Sequence, residues 1–476
     1  MARAREEAAP AGRSGSHSGL TRMGVVALVA LALGCRERRI STSGEQSAGR
    51  WGPVLVSSTD AIRVGPPPPE GSAQQQEESA ELASLQAQRT PQQTAAVRRW
   101  SAGGAVLRWN EIARALVAKH RTDHPRASRV YALLSVAQHD ALLVARKNQE
   151  IFGRAPPPAP KAPLIRPPLG SSYPSAEAAV ASASAGVLAY LYPEETERLA
   201  QMASEHESTW LWAGVRYRSD VEAGDLIGRK IAAIARARAK ADRSDAAWTG
   251  TLPKGPGSWV SAAGEEPLLP MWGQTQPWLI TSVADYRLKP PPEFRSPAYE
   301  SALAEVKRFS ENRTPEQARL AALWADGPGS YSPGGRWNRI AADLIVKHRL
   351  DDFGAARVLA LLNMAIMDAG IACWDNKYHY DLIRPSQADP SISTPVGLPN
   401  FPSYPSAHAC FSGAAAEVLG AIFPEDRKTL RAKAEEASLS RVYGGLHYRF
   451  DGDAGLSLGR AVAQRAIERN RVEGSP

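Results

Sequence analysis

Apolar residues along this chain recur mostly three and four positions apart. In the segment 108–120 they fall at Trp109, Ile112, Leu116 and Val117, which is one face of a helix. The segment 129–145 (RVYALLSVAQHDALLVA) reads the same way. Thr314-Pro315-Glu316-Gln317 predicts a helix start, with Thr as N-cap, Pro as the first helical residue and Gln placed to close a capping box. Strict apolar–polar alternation, the mark of a half-buried strand, is scarce. The pattern predicts an all-α protein. No uninterrupted apolar run reaches the ~18 residues of a spanning helix, which argues against a polytopic membrane protein.

The pattern also repeats. Residues 108–141 align without a gap onto 336–369, an offset of 228, with 19 of 34 positions identical. The match resumes at an offset of 231, where Tyr173-Pro174-Ser175-Ala176 meets Tyr404-Pro405-Ser406-Ala407 and Gly228-Arg229 meets Gly459-Arg460. A repeat this long exceeds a solenoid unit. It predicts two helical bundles, at 101–240 and 301–472, related by pseudo-twofold symmetry. A Pro- and Trp-rich connection, 241–300, would join them.

Upstream the pattern changes. Residues 1–22 are polar and basic, and the apolar stretch Met23–Gly34 then ends at Cys35. That length is that of a signal peptide, and a small residue before cysteine suggests bacterial lipoprotein processing. The expectation is an export segment at 1–35, a lipid anchor at Cys35 and a place in the bacterial cell envelope, periplasmic or lipid-anchored. Residues 36–100 carry Pro66–Pro69 and Gln74–Gln76 among many Ser, Glu and Ala. Such composition predicts a disordered linker.

Composition narrows the partners. The chain has 476 residues, with 57 Lys and Arg against 49 Asp and Glu, a formal charge of +8. Cations and anions are interspersed, so no nucleic-acid surface is indicated, whereas a small anionic ligand suits the balance. Three cysteines form neither a disulfide framework nor a zinc spacing. Cys373 and Cys410 leave two readings open, a pair or two unpaired core thiols.

Three clusters in the second repeat carry candidate chemistry: Lys377-YHYDLI-Arg384-Pro385, Tyr404-Pro405-Ser406-Ala407-His408, and Ser440-Arg441-VYGGL-His447-YRF-Asp451. Taken singly, each has an ordinary explanation as surface charge, helix cap or core histidine. In this order they resemble the three-part signature of the type-2 phosphatidic acid phosphatase and vanadium haloperoxidase superfamily. Ala407 stands where that signature has glycine. The resemblance implies a tetrahedral oxyanion, vanadate or phosphate, surrounded by Lys377, Arg384 and Arg441 and by the Ser406 hydroxyl and the backbone at Ala407. Arginine offers a planar fork to such an anion and lysine a point charge. The resemblance further implies that His447 bonds the central atom, and is the metal ligand if that atom is vanadium. His408 would be the acid–base group. Asp451, four residues on, either orients His447 or serves as a cap.

Trp374 and Phe401 are similar to positions of the fungal vanadium chloroperoxidase group. The expected function is therefore a vanadium-dependent haloperoxidase acting on hydrogen peroxide and halide. The alternatives are an acid phosphatase that hydrolyses a small phosphate ester through a phosphohistidine on His447, and an inactive anion-binding envelope lipoprotein. The first repeat acts as an internal control. There Gln149 faces Lys377, Glu177 faces His408, Trp210 faces Arg441 and Arg216 faces His447. One site per chain follows. His120 and His348 occupy equivalent positions, so packing or capping is expected of them. The oligomeric state is not legible.

Overall fold

The computed structural model of the chain describes residues 50–158, 164–165 and 170–474. The expected export segment with Cys35, and the first part of the expected linker, lie outside the described residues. Among the described residues the secondary structure is helical, with no named strand.

Fourteen helices of nine residues or more among the described residues run in two series of seven. The first series is α1 (Ala73–Ala87), α2 (Pro91–Ser101), α3 (Ala105–Lys119), α4 (His124–Phe152), α5 (Ala176–Leu191), α6 (Thr196–Trp212) and α7 (Arg218–Ala241). The second is α8 (Pro297–Glu311), α9 (Pro315–Leu323), α10 (Ser332–Lys347), α11 (Asp352–Tyr380), α12 (Ala407–Ile422), α13 (Arg427–Tyr443) and α14 (Arg449–Glu473). A single turn, Pro385–Ala388, precedes α12. α11 is long and apolar enough to cross a membrane, yet its apolar stretch is wholly buried against neighbouring helices. It and α4 form the centre of the core.

The sequence repeat is matched by a repeat in bonding. Trp100 and Trp324 donate their indole N–H to Glu205 and Glu436, at 2.6 and 2.7 Å. Where the series meet, counterparts touch each other. Asn110 donates to Asn338 at 2.8 Å, and Asn363 donates to Ser135 at 2.9 Å. A residue in contact with its own counterpart lies on or beside the axis that a twofold relation requires. His120 and His348 are structural, as expected: each bonds an acidic side chain at 2.9 Å and stacks on Tyr192 or Phe423.

The expected linker is a correction. From residue 50 it is ordered and carries α1 and α2. The N–H groups of Val54, Leu55 and Val56 donate to the buried Asp140 carboxylate at 2.9, 2.6 and 3.2 Å. The counterpart is the segment within the expected connection, where Trp278, Leu279 and Ile280 donate to Asp368 at 2.8, 2.7 and 3.1 Å. Burial pushes both carboxyls up to about 6. These segments have no regular structure of their own, and their backbone donors are satisfied by a carboxylate on a distant helix. Composition could not show that. The repeated bonding thus begins near residue 53 rather than 101, and near residue 277 rather than 301.

Candidate active site

α12 and α14 cross closely because glycines line the contact. A Cβ at Gly455 would sit 2.6 Å from the Ser406 carbonyl oxygen, and one at Gly459 only 2.1 Å from that of Cys410. This approach lets the Ser406 N–H donate to the Asp451 carbonyl at 2.9 Å. It sets the start of α12 beside the start of α14, with the end of α11 close by. Those helix ends carry the three clusters.

Lys377, near the end of α11, is fully buried. Its ammonium donates to the carbonyls of Pro402, Ser403 and Pro405 at 2.9, 3.0 and 2.6 Å. Arg384 is also fully buried. Its Nε donates to the Phe401 carbonyl at 3.0 Å, and its Nη1 to the Leu446 carbonyl at 2.9 Å and to His447 Nε2 at 3.1 Å. Its Nη2 is buried without a partner. Burial lowers the lysine to about 8 and the arginine to about 10, so the arginine stays cationic at neutral pH and the lysine largely so. The Phe401 ring lies against both cations, at 4.8 and 4.9 Å, and pairs with Trp374 at 5.1 Å.

His447 joins this cluster through Asp451. Its Nδ1 lies 2.9 Å from Asp451 Oδ2. The same oxygen accepts from Ser403 Oγ at 2.6 Å and from the Tyr448 N–H at 3.1 Å. Asp451 therefore both orients His447 and caps α14. Burial pushes its carboxyl up to about 6, leaving it ionised at neutral pH. Burial, with Arg384 and Lys377 nearby, holds His447 well below the usual histidine range. The ring is neutral. With a carboxylate at Nδ1 and a guanidinium donor at Nε2, the proton sits on Nδ1 and the lone pair on Nε2.

Ser406 is the N-cap of α12, yet its hydroxyl caps nothing and is buried without a partner. Its counterpart Ser175 accepts from the Ala178 N–H at 3.2 Å and donates to Glu177 at 2.9 Å. Ala407, buried at the first turn of α12, presents a helix-start backbone as glycine would. His408 and Arg441 reach the cluster's other side. Arg441 donates to the Ser440 hydroxyl at 3.0 Å and to the Ala321 carbonyl. His408 Nε2 lies 3.2 Å from the Ala325 carbonyl, so it carries the proton and leaves Nδ1 as the base. Burial, Arg441 and His124 hold His408 well below its ordinary range. Both residues line a cavity of about 400 Å³ that opens to solvent. A larger cavity of about 810 Å³ contains none of these residues, and its buried cation Arg154 is already paired with Glu78 and Asp220.

The same place in the first series is closed. Arg216 and Glu177 pair with each other at 3.0 Å. Burial would raise the Glu177 carboxyl, but the Arg216 guanidinium holds it below the ordinary range. Gln149 repeats the bond of Lys377, donating to the Pro174 carbonyl at 2.8 Å. An internal carboxylate thus meets the charge that an anion would meet in the second series.

Two residues of the site escaped the sequence. Ser403 holds Asp451, and its signal lay in the repeat, since 171–176 (SSYPSA) aligns with 402–407 (PSYPSA). His124, from the first series, packs edge-on against His408 with ring centres 5.2 Å apart, and donates to the Asp326 carbonyl at 3.0 Å. No motif marks it. Cys373 and Cys410 are both free and buried.

The PAP2 superfamily model matches residues 357–470, which hold every residue of the cluster. The vanadium chloroperoxidase of Curvularia inaequalis is 28% identical over 193 residues, 32% of this chain and 32% of the fungal protein. The chain thus spans about a third of that relative's length. The non-specific acid phosphatase of Providencia stuartii is 30% identical over 185 residues, 38% of this chain and 71% of the phosphatase. Among solved structures, a bacterial vanadium-dependent iodoperoxidase superposes with a TM-score of 0.62 at 24% identity, covering 76% of this chain and 94% of its own. A bacterial vanadium-dependent chloroperoxidase gives 0.57 at 16%, covering 74% and 93%. The all-helical fold is that of the vanadium haloperoxidases, and the chain belongs to the PAP2 superfamily as one of its enzymes.

Proposed function

We propose that the second series holds a vanadate ion and that the protein is a vanadium-dependent haloperoxidase, using hydrogen peroxide to oxidise halide. The observation that carries the reading is a pair of buried donors without acceptors, Arg384 Nη2 and Ser406 Oγ, beside the neutral His447. An unsatisfied buried donor is costly, and an oxyanion supplies the acceptors that these two lack. Lys377, Arg384 and Arg441 would balance its charge, Ser406 and the Ala407 backbone would hold its oxygens, and His447 Nε2 would bond its metal. Bound vanadate would supply a Lewis acid that accepts peroxide and delivers an oxygen atom to halide.

The chain's own residues do the rest. Asp451 and Arg384 hold His447 in the tautomer whose lone pair is on Nε2, and the central atom would take the place of the Arg384 Nη1 hydrogen bond there. His408 Nδ1 is the base that takes a proton from incoming peroxide and returns it to the departing oxygen. Trp374 and Phe401 close one side of the cluster and keep water from its cations.

A second reading is favoured by the same lone pair and by the 30% identity to an acid phosphatase. Here Nε2 attacks the phosphorus of a small phosphate ester. The bound anion offsets the burial and Arg441 that keep free His408 neutral, so that His408 takes up a proton and gives it to the leaving alkoxide. Water then hydrolyses the phosphohistidine. The full-length protein loaded with vanadate should halogenate an activated diketone when given peroxide and iodide, bromide or chloride. Hydrolysis of p-nitrophenyl phosphate without vanadate, and no halogenation, would establish the phosphatase. Neither activity, with phosphate or vanadate still bound, would leave the inactive anion-binding envelope protein. For the chain's location we propose export through the 1–35 segment, which protease accessibility in intact cells would test.

A further inference from the structure

The cavity above His408 and Arg441 has a chemistry of its own. Its floor is those two buried side chains, 7% and 1% exposed. Its walls are apolar, with Leu268, Leu398, Phe401 and Leu446 among them. Leu398 is 42% exposed on this wall, so its side chain is accessible to a body in the cavity. At the mouth stand two exposed carboxylates, Glu265 and Glu266. Neither carboxylate has a hydrogen bond or an ion pair among the described residues; the bonds of this segment run through its backbone carbonyls, which accept from Ser261 and Asn400. Asp123, the third acid lining the cavity, is already paired with Arg126 at 2.6 Å.

The two ends of this cavity therefore ask for different things. The floor is cationic and attracts an oxyanion. The wall gains by covering apolar surface, and the mouth repels a second negative charge. A volume of about 400 Å³ exceeds the ~150 Å³ at which an apolar cavity takes a benzene ring. We propose that the organic partner of this site is an apolar body of up to about two rings, uncharged apart from the group that meets Arg441. Glu265 and Glu266 act as a filter against bodies with a further anionic group, such as nucleotides, sugar bisphosphates or aryl carboxylates. This rests on the cluster below being an oxyanion site, and it names the class of ester, or of halogen acceptor, that the site admits.

Phosphonates test it, because they place an oxyanion on the cations and a chosen body in the cavity without turning over. The measurement is the Kd of the full-length protein for inorganic phosphate, phenylphosphonate and 4-carboxyphenylphosphonate by calorimetry at low salt. Phenylphosphonate should bind roughly tenfold or more tightly than phosphate, as burial of one ring implies. The added carboxylate should remove most of that gain. E265Q/E266Q should restore part of it while changing the Kd for phosphate, which lies deeper, by a smaller factor. Phenylphosphonate binding no tighter than phosphate would overturn the apolar body. Equal affinity for both aryl phosphonates in the wild type, or an unchanged ratio in E265Q/E266Q, would overturn the filter. If phosphate and vanadate both fail to bind, the oxyanion site itself falls, and this inference falls with it.

Discussion

Asp451→Asn isolates what the carboxylate does for His447. The substitution keeps the shape and removes the charge. In the wild type Oδ2 takes three hydrogen bonds, from His447 Nδ1 at 2.9 Å, Ser403 Oγ at 2.6 Å and the Tyr448 N–H at 3.1 Å. A hydrogen bond to a charged group contributes about 1.5–3 kcal/mol, against about 0.5–1.5 for a neutral one. The bias toward the Nδ1–H tautomer therefore weakens by about 1–1.5 kcal/mol, or roughly five- to tenfold. The bond from Arg384 Nη1 to Nε2 still favours that tautomer, so the loss stops there. Vanadate and phosphate affinity should fall by that factor, and imidazole nitrogen shifts should show a mixed tautomer where the wild type shows one. The weakened cap at Tyr448 would lower stability by about 1 kcal/mol, which a melting curve reads separately. A folded Asp451→Asn protein with unchanged anion affinity and a single Nδ1–H tautomer would refute the orienting role and leave only the cap.

Three further outcomes are expected. His408→Ala should retain vanadate affinity within a few-fold while turnover drops by about 10²–10⁴, since it removes a proton carrier and no bond to the central atom; lost anion binding in a folded variant would contradict the assignment. Asp368→Asn and Asp140→Asn should show matching pH behaviour in urea unfolding. Burial lifts each carboxyl from 3.8 to about 6, so the folded state holds extra protons between those values. The wild type should lose stability relative to each variant as pH rises from about 4 to about 6, by up to about 3 kcal/mol, and hold level above; an opposite slope would contradict this. In an experimental structure, residues 53–241 should superpose on 277–473 by a rotation near 180° through the Asn110–Asn338 contact, and a relation without that rotation would exclude the twofold.

The helices and the cation cluster were legible for different reasons. Helical periodicity survives in any segment whose apolar face meets a core, so α3, α4 and their counterparts stood out. The cluster stood out because three motifs kept their spacing while the first repeat lost its side chains. The segments 53–64 and 277–288 carry no such signal. Their order comes from Asp140 and Asp368, and from Asn148 and Asn376, whose side chains donate to Ile62 and Tyr286 carbonyls at 3.0 and 3.1 Å. An irregular stretch beside a proline run that answers to a buried acceptor some 85 residues away looks like a linker until that acceptor is seen. One clue was present: Thr90-Pro91-Gln92-Gln93 repeats the capping box of Thr314-Pro315-Glu316-Gln317, and both boxes form. His124 was out of reach for a further reason. It belongs to the other repeat, and only the packing of the two series brings it to His408.

A crystal structure of the full-length protein soaked in vanadate would decide whether each chain holds one oxyanion site, built on His447. A single anion per chain should appear, bonded to His447 Nε2 and accepting from Arg384 Nη2 and Ser406 Oγ. An anion seated at the Arg216–Glu177 pair, or vanadium density absent from His447 in crystals that bind vanadate elsewhere, would contradict it.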